Sequence, residues 1–236
     1  MSFDFRQFSV DDRRCAMKVG TDGVLLGAWA MAGDDTRYAV DLGAGSGVVS
    51  LLLAQRFAGL TVTAVEKDGE ACLDCRDNFA RSPWADRLAA ECCDALAFRP
   101  ATAPGLVVSN PPFFTETLKS PDAARASARH AGVLSPLSVV EVAAEILDPS
   151  GSVALIFPTA MADEVIYRGE MLHLKERRRL DIATREGRAS ERTLLQLSRI
   201  DGPPRRAAMA IRHRTGGYTD DYRALVAEYY MHLPND

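Results

Sequence analysis

The chain of 236 residues is 47% hydrophobic and 25% charged, with a formal net charge of −4 and a sequence pI of about 5.6. Roughly 70% of the unfolded surface of such a chain is buried on folding, so one domain forms without a metal or a disulfide framework. The acidic balance argues against indiscriminate nucleic-acid binding. The first residues lack a signal-peptide pattern and no apolar run approaches the ~20 residues of a membrane span, so no membrane partner and a cytoplasmic location are expected.

Residues 18–23, Lys-Val-Gly-Thr-Asp-Gly, mark a tight loop, and the apolar stretch 24–30 after it is expected to be helical, with its N-cap near Thr21 or Asp22. From Tyr38 a regular alternation begins. Strands are expected at 38–42, 61–66, 88–93, 106–109 and 152–157, and helices at 48–57, 69–81, 136–147 and 161–172, with a long polar loop at 115–132. Three further strands, 179–184, 193–198 and 207–211, read as joined by hairpin-like connections, before a closing helix at 220–231. Strands alternating with helices imply an α/β fold, a mostly parallel sheet with helices on both faces and antiparallel strands at one edge. Two parts are expected, an N-terminal segment 1–37 and the α/β domain 38–236, packed as a single structural domain. The five cysteines are an odd number with no secretory context. Cys72 and Cys75 share a helix face, whereas adjacent Cys92 and Cys93 point to opposite faces of a strand, so no metal site is expected.

Ligands of such sheets bind at the carboxyl ends of the strands, and four strand ends here carry notable residues. The first is Asp41-x-Gly43-x-Gly45-x-Gly47. Its glycines permit close backbone approach and leave N–H groups to donate at a helix start, although the third glycine comes one residue too early for the dinucleotide fingerprint. The second is Glu66, placed to accept both hydroxyls of a ribose, and the third is Asp94, placed to accept from an adenine amine. Together they outline a cleft for an adenosine. The fourth is Asn110-Pro111-Pro112-Phe113. Neither proline has an N–H and each disfavours helix before it, so an amide, a carbonyl and an aromatic face are held in a fixed relation that can grip a flat amine.

Asp41 to Gly47 with Glu66, Asp94 and the Asn-Pro-Pro-Phe run resembles the class I S-adenosylmethionine-dependent amino-methyltransferases, which modify adenine N6, guanine N2 or glutamine N5. The string from Arg14 to Trp29, with Asn78 and Ser82-Pro83-Trp84-Ala85, is similar to the bacterial tRNA1(Val) N6-adenine methyltransferase family, which methylates the adenine 3′ of the anticodon. Phe113 stands where tyrosine is commoner. The resemblance implies a Rossmann-like, seven-stranded class I methyltransferase sheet, S-adenosyl-L-methionine as cofactor and the anticodon loop of a tRNA as partner. It implies that Gly43, Gly45 and Gly47 line the methionine end of the cofactor, that Asp41 orders the turn, and that Lys18, Thr21 and Asp22 close over the methionyl group. Glu66 is implied to hold the ribose and Asp94 the adenine amine. Asn110 and the Pro111 carbonyl are implied to accept the two N–H bonds of the target amine, shifting its nitrogen toward sp3 while Phe113 stacks on the swung-out base.

An RNA partner calls for cations near the cleft. Between Val165 and Thr215 there are thirteen Arg and Lys against six Asp and Glu. The nominated RNA contacts are Arg125, Arg129 and His130 in the long loop, and Lys175, Arg177, Arg178 and Arg179, then Arg205, Arg206, Arg212 and Arg214, in the basic segment. A protein glutamine N5-methyltransferase is disfavoured because only about 37 residues precede the first strand, too few for the N-terminal helical domain such enzymes usually carry. A nicotinamide oxidoreductase gives no reason for the Asn-Pro-Pro-Phe run, and a non-catalytic scaffold gives none for intact grip residues.

Overall fold

The structure is a computed structural model, and residues 2–112 and 133–231 are described. Two short strands, β1 (Ser2–Asp4) and β2 (Ser9–Asp11), pair antiparallel ahead of helix α1 (Thr21–Trp29). The α/β alternation follows: β3 (Tyr38–Leu42), α2 (Val48–Arg56), β4 (Thr61–Glu66), α3 (Gly69–Arg81), β5 (Leu88–Cys92) and β6 (Leu106–Ser109). After it come α4 (Pro136–Ile146), β7 (Ser152–Pro158), α5 (Ala162–Met171), β8 (Lys175–Arg185), β9 (Arg192–Ser198), β10 (Arg205–His213), β11 (Gly216–Tyr218) and α6 (Asp220–Val226).

One nine-stranded sheet has the order β11-β10-β8-β9-β7-β6-β3-β4-β5. The strands β3 to β7 are all parallel, while β9 runs antiparallel to β7 and to β8. The chain builds outward from β3 through β4 to β5, then returns to add β6 on the other side of β3. This reversal opens a crevice at the carboxyl ends of β3 and β6, the position at which open α/β sheets bind ligands.

Alternation along the central strands explains the layering. Leu106 and Val108 of β6, with Ala154 and Ile156 of β7, pack toward a layer containing α1, α2 and α3 residues such as Leu25, Leu52 and Phe79. Val107, Val153, Leu155 and Phe157 pack toward α4 and α5 through Val139, Ala143 and Val165. Strands buried on both faces read as continuous apolar runs, as these do. Leu51, Leu52 and Leu53 are all fully buried because α2 lies between the sheet and α1; each such leucine contributes about 2 kcal/mol. Phe5, Phe8 and Val10 join the same layer, so the N-terminal segment is packed into the core.

Three expectations are corrected. The sheet has nine strands rather than seven, because β10 and β11 extend the edge beyond β8. The link from β9 to β10 is not a hairpin: β9 is already flanked by β7 and β8, so β10 crosses over to run parallel to β8. The N-cap of α1 is Gly20, with Thr21 and Asp22 already inside the helix, and no side chain caps it. Asp22 in the first turn still complements the positive end of the helix dipole.

Candidate active site

Beyond β3 the chain turns through Gly43, Gly45 and Gly47, all at positive φ. The N–H groups of Gly43 and Ala44 donate to the Val65 carbonyl at 2.8 and 3.1 Å, tying the turn to the end of β4. The Gly45 N–H donates to Glu66 Oε2 and the Asp68 N–H to Oε1, both at 2.8 Å. Each carboxylate oxygen has further lone-pair capacity, so Glu66 is a fixed double acceptor, the geometry a vicinal diol needs. Among the described residues a Cβ at Gly45 would meet nothing within 4 Å, whereas one at Gly47 would lie 2.6 Å from the Phe79 ring and 2.8 Å from Cys75 Sγ. Gly45 therefore faces open space, and Gly47 allows α3 to close against the turn.

Asp94, two residues past β5, accepts from Lys67 Nζ at 2.7 Å and from the Leu96 N–H at 3.0 Å. The Lys67 hydrogen bond, followed by the Leu96 N–H, holds its carboxyl below the usual aspartate range. Asp94 is an ionised acceptor with a partly exposed side chain.

Asp41 is buried at 1% exposure and accepts from Ser50 Oγ at 2.8 Å. Burial pushes its pKa up from 3.8 to about 7, against the Ser50 hydroxyl and N–H, which favour the charged form, while the Glu66 charge adds a smaller upward push. The folded-state value lies above the unfolded one, so folding favours the protonated acid. This contribution is present in full below about pH 4 and is lost as pH rises through about 7, a change of about 4 kcal/mol. Asp41→Asn is expected to flatten this slope. The wild-type Tm should fall between about pH 5 and about pH 8 by more than the variant's does, and equal falls contradict the assignment.

Asn110 follows the last residue of β6. Backbone pairing of β3 with β6 runs only to Asp41 and Val108, where the two strands diverge. One residue further, the fully buried Ser109 donates through Oγ to the Leu42 carbonyl at 2.6 Å. A side chain thus extends the ladder where the backbone has left it, fixing Asn110 relative to the glycine turn. Pro111 is buried and Pro112 half-buried. The Asn110 Oδ1 atom is buried with no hydrogen-bond partner among the described residues. Such an atom costs about 1–3 kcal/mol unless a ligand donates to it. Ser109→Ala is expected to lower kcat about tenfold with little change in cofactor affinity, since small misplacements of reacting groups are costly. Ser109→Thr, which retains the hydroxyl, should recover part of the loss; equal kcat in all three proteins would remove Ser109 from the account.

The N-terminal segment is pinned beside this turn by two polar residues on the inner face of α3. Asn78 is fully buried; its Nδ2 donates to the Asp11 and Ser46 carbonyls at 2.8 and 2.9 Å, and its Oδ1 accepts from the Asp11 N–H at 2.8 Å. Asp74 accepts from the Arg14 N–H at 2.7 Å. The Lys18 ammonium donates to the carbonyls of Asp12, Arg13 and Cys15 at 2.7, 3.3 and 2.8 Å, so all three of its donors bind its own loop. Thr21 is exposed at the start of α1, and Asp22 pairs with Arg192 Nε at 2.9 Å.

The structure brings Asp41, Gly43, Gly45, Gly47, Glu66, Asp94, Asn110 and Pro111 to one edge of the sheet, with the segment carrying Lys18, Thr21 and Asp22 beside them. Phe113, Arg125, Arg129 and His130 lie outside the described residues. Lys175, Arg177, Arg178 and Arg179 are placed elsewhere, which corrects the expectation for the basic segment. Lys175 and Ser152 both pair with Ser198, so this end of β8 lies at the amino end of β7, the edge opposite the crevice. Lys175 pairs with Asp201 and Arg179 with Asp181. Arg178 donates to the Trp29 carbonyl and stacks over its ring at 4.2 Å, and Arg177 Nη1 is buried. These residues are strand β8 itself rather than a solvated loop.

Sequence reading missed Ser50, Lys67, Asp74 and Ser109, and quoted Asn78 without a role. The legible signal was in α3: Asp74 and Asn78 occupy the stripe shared by Ala71, Cys75 and Phe79, where a polar residue needs a buried partner.

A pinned carboxylate at Glu66, an ionised Asp94 and, among the described residues, free space over Gly45 and an amide oxygen at Asn110 without a partner fit a nucleoside-bearing methyl donor beside an amine acceptor. The chain matches the Methyltransferase small domain family over residues 20–171. It is 40% identical over 232 residues to the tRNA1(Val) (adenine(37)-N6)-methyltransferase of Aeromonas hydrophila, covering 98% of both chains. It is 36% identical over 232 residues to the protein of the same name from Bacteroides thetaiotaomicron, again covering 98% of both. A crystal structure described as a predicted O-methyltransferase from Agrobacterium tumefaciens superposes with a TM-score of 0.67 at 19% identity, covering 92% of this chain and 100% of that one, which establishes the fold. By identity and coverage, the chain belongs to the tRNA1(Val) (adenine(37)-N6)-methyltransferase family, on a methyltransferase fold.

Proposed function

We propose that this enzyme methylates N6 of the adenine at position 37 of tRNA1(Val), 3′ of the anticodon, with S-adenosylmethionine as donor and in the cytoplasm. The relatives' names support the acceptor, and the buried Asn110 Oδ1, without a hydrogen-bond partner among the described residues, is the observation that carries the chemistry. When bound, the cofactor supplies an electrophilic methyl group on a sulfonium. Glu66 accepts its ribose hydroxyls, Asp94 its adenine amine, and the turn through Gly43, Gly45 and Gly47 takes its methionyl end. Asp41 and Ser50 join the strand and the helix that flank that turn. The segment 1–37 forms the wall over the methionyl group, with Lys18 stiffening its loop and Thr21 and Asp22 at its rim.

An exocyclic adenine amine is a poor nucleophile because its lone pair is delocalised into the ring. Asn110 Oδ1 and the Pro111 carbonyl accept its two N–H bonds and direct the lone pair toward the donor, and Phe113 stacks on the base. Catalysis would be by position and electrostatics: the nitrogen takes the methyl as its bond to sulfur breaks, and the proton the nitrogen then sheds passes to water, so no strong base is needed. The site is tested by melting the protein with S-adenosylmethionine and with NAD. The methyl donor is expected to raise Tm and Glu66→Ala to abolish the rise; a rise with NAD alone overturns the reading.

A further inference from the structure

We propose that the tRNA docks on the half of the carboxyl edge beyond Asn110, where Arg185, Arg188 and Arg214 on two interlocked turns bind its phosphates. This rests on the tRNA reading above.

Register places these residues. Pro158 at the carboxyl end of β7 pairs with Arg192 at the start of β9, and Arg192 pairs with Ile182 near the end of β8. Arg212 of β10 pairs with Arg185 of β8. The carboxyl edge therefore runs Asp94, Glu66, glycine turn, Asn110, Arg192, Arg185, Arg212. At about 4.8 Å per strand, the ends of β8 and β10 lie about 14 and 19 Å from that of β6, on the side away from the cofactor carboxylates.

The two halves of this edge differ in charge. Glu66, Asp68, Glu70 and Asp94 lie around the ends of β4 and β5, and would repel a phosphate backbone. On the other side Arg185, Arg188 and Arg214 are exposed, and none forms an ion pair among the described residues. Their platform is rigid. The Glu186 N–H donates to the Arg212 carbonyl at 2.9 Å, the Arg214 N–H to Glu186 Oε2 at 3.3 Å, and Arg185 Nη1 to the Arg214 carbonyl at 3.1 Å. The neighbouring carboxylates are engaged. Glu186 contacts His213 Nδ1, Glu191 accepts from the Thr184 hydroxyl, and Asp220 and Asp221 occupy the first turn of α6. At the opposite edge Arg206 forms a two-pronged pair with Glu176 at 2.7 and 2.8 Å and Lys175 pairs with Asp201, while Arg205 is exposed with no ion pair among the described residues and so serves as the matched control. Guanidinium groups without a carboxylate partner are the ones available to phosphate, which they bind in a planar fork.

The test compares Arg185→Glu/Arg188→Glu/Arg214→Glu with the far-edge control Lys175→Glu/Arg205→Glu, using tRNA1(Val) transcript at several salt concentrations and S-adenosylmethionine by calorimetry. The platform variant is expected to bind the transcript at least about tenfold more weakly and with a salt slope shallower by about 2. Its cofactor Kd should stay unchanged, as should transcript binding by the control, and its melting temperature should fall only slightly, since the Arg185 to Arg214 hydrogen bond it removes is exposed. A neutral Arg185→Gln/Arg188→Gln/Arg214→Gln variant should show the same direction with a smaller loss. Unchanged transcript affinity and salt slope in the platform variant, or an equal loss in the control, overturns the proposal alone. Failure of the unaltered protein to bind or methylate the transcript overturns the tRNA reading and the proposal with it.

Discussion

Asn110→Ala is expected to lower kcat by about two to three orders of magnitude, the effect of removing one group that stabilises a transition state. Cofactor affinity should change little, because the open space over Gly45 and the pinned Glu66 are built from other strand ends. Stability should hold or rise by about 1 kcal/mol, since the substitution removes a buried acceptor that has no partner among the described residues. The combination matters: activity collapses while the fold improves, which a structural role for Asn110 does not produce. Asn110→Asp keeps an acceptor at the same place and should retain more activity than the alanine variant. Single-turnover methylation with a melting curve on each protein checks this, and near-normal turnover in Asn110→Ala would remove the amide from the chemistry.

The second large effect separates two glycines only two residues apart. Gly47 adopts φ 80°, and a Cβ there would lie 2.6 Å from Phe79 and 2.8 Å from Cys75, both buried. Gly47→Ala combines left-handed strain of about 1–2 kcal/mol with overpacking of about 1–3 kcal/mol, a loss large enough to drop Tm by many degrees. Gly45 adopts φ 55°, but its added methyl meets nothing within 4 Å among the described residues. Gly45→Ala should cost only the strain, about 1–2 kcal/mol, yet place a methyl in the space assigned to the cofactor. The expected pattern is an unstable Gly47 variant and a folded Gly45 variant with at least about tenfold weaker cofactor binding. Normal cofactor affinity in Gly45→Ala would place the methyl donor elsewhere.

The central layer was legible because strands buried on both faces write their burial into continuous apolar runs such as Leu106–Ser109, and strand ends can then be located from sequence. Asn110 stood out for that reason, and Glu66 and Asp94 because each stands at or just past the end of a strand in the same alternation. The far side of the sheet was not legible. Nothing local in residues 205–213 tells whether that strand pairs with β9 or crosses over to β8; the answer depends on which edges are already occupied. The basic segment misled for a related reason. A run such as Lys175-Glu176-Arg177-Arg178-Arg179 looks like a solvated patch, whereas strand alternation and register put its members against Asp181, Asp201 and the Trp29 ring. Lys18 also reads as a free cation until three carbonyls of its own loop are found around it. Contacts such as Ser109 to Leu42 and Asn78 to Ser46 join residues far apart in the chain, and only the folded arrangement shows them.

The measurement that bears most directly on the central claim is methyl transfer from labelled S-adenosylmethionine to total cellular RNA, followed by digestion and identification of the labelled nucleoside and its position. The account predicts label in N6-methyladenosine at position 37 of tRNA1(Val), and none when Asn110→Ala replaces the wild type at equal concentration. Label in a different nucleoside, or in a protein glutamine with none in RNA, would contradict it.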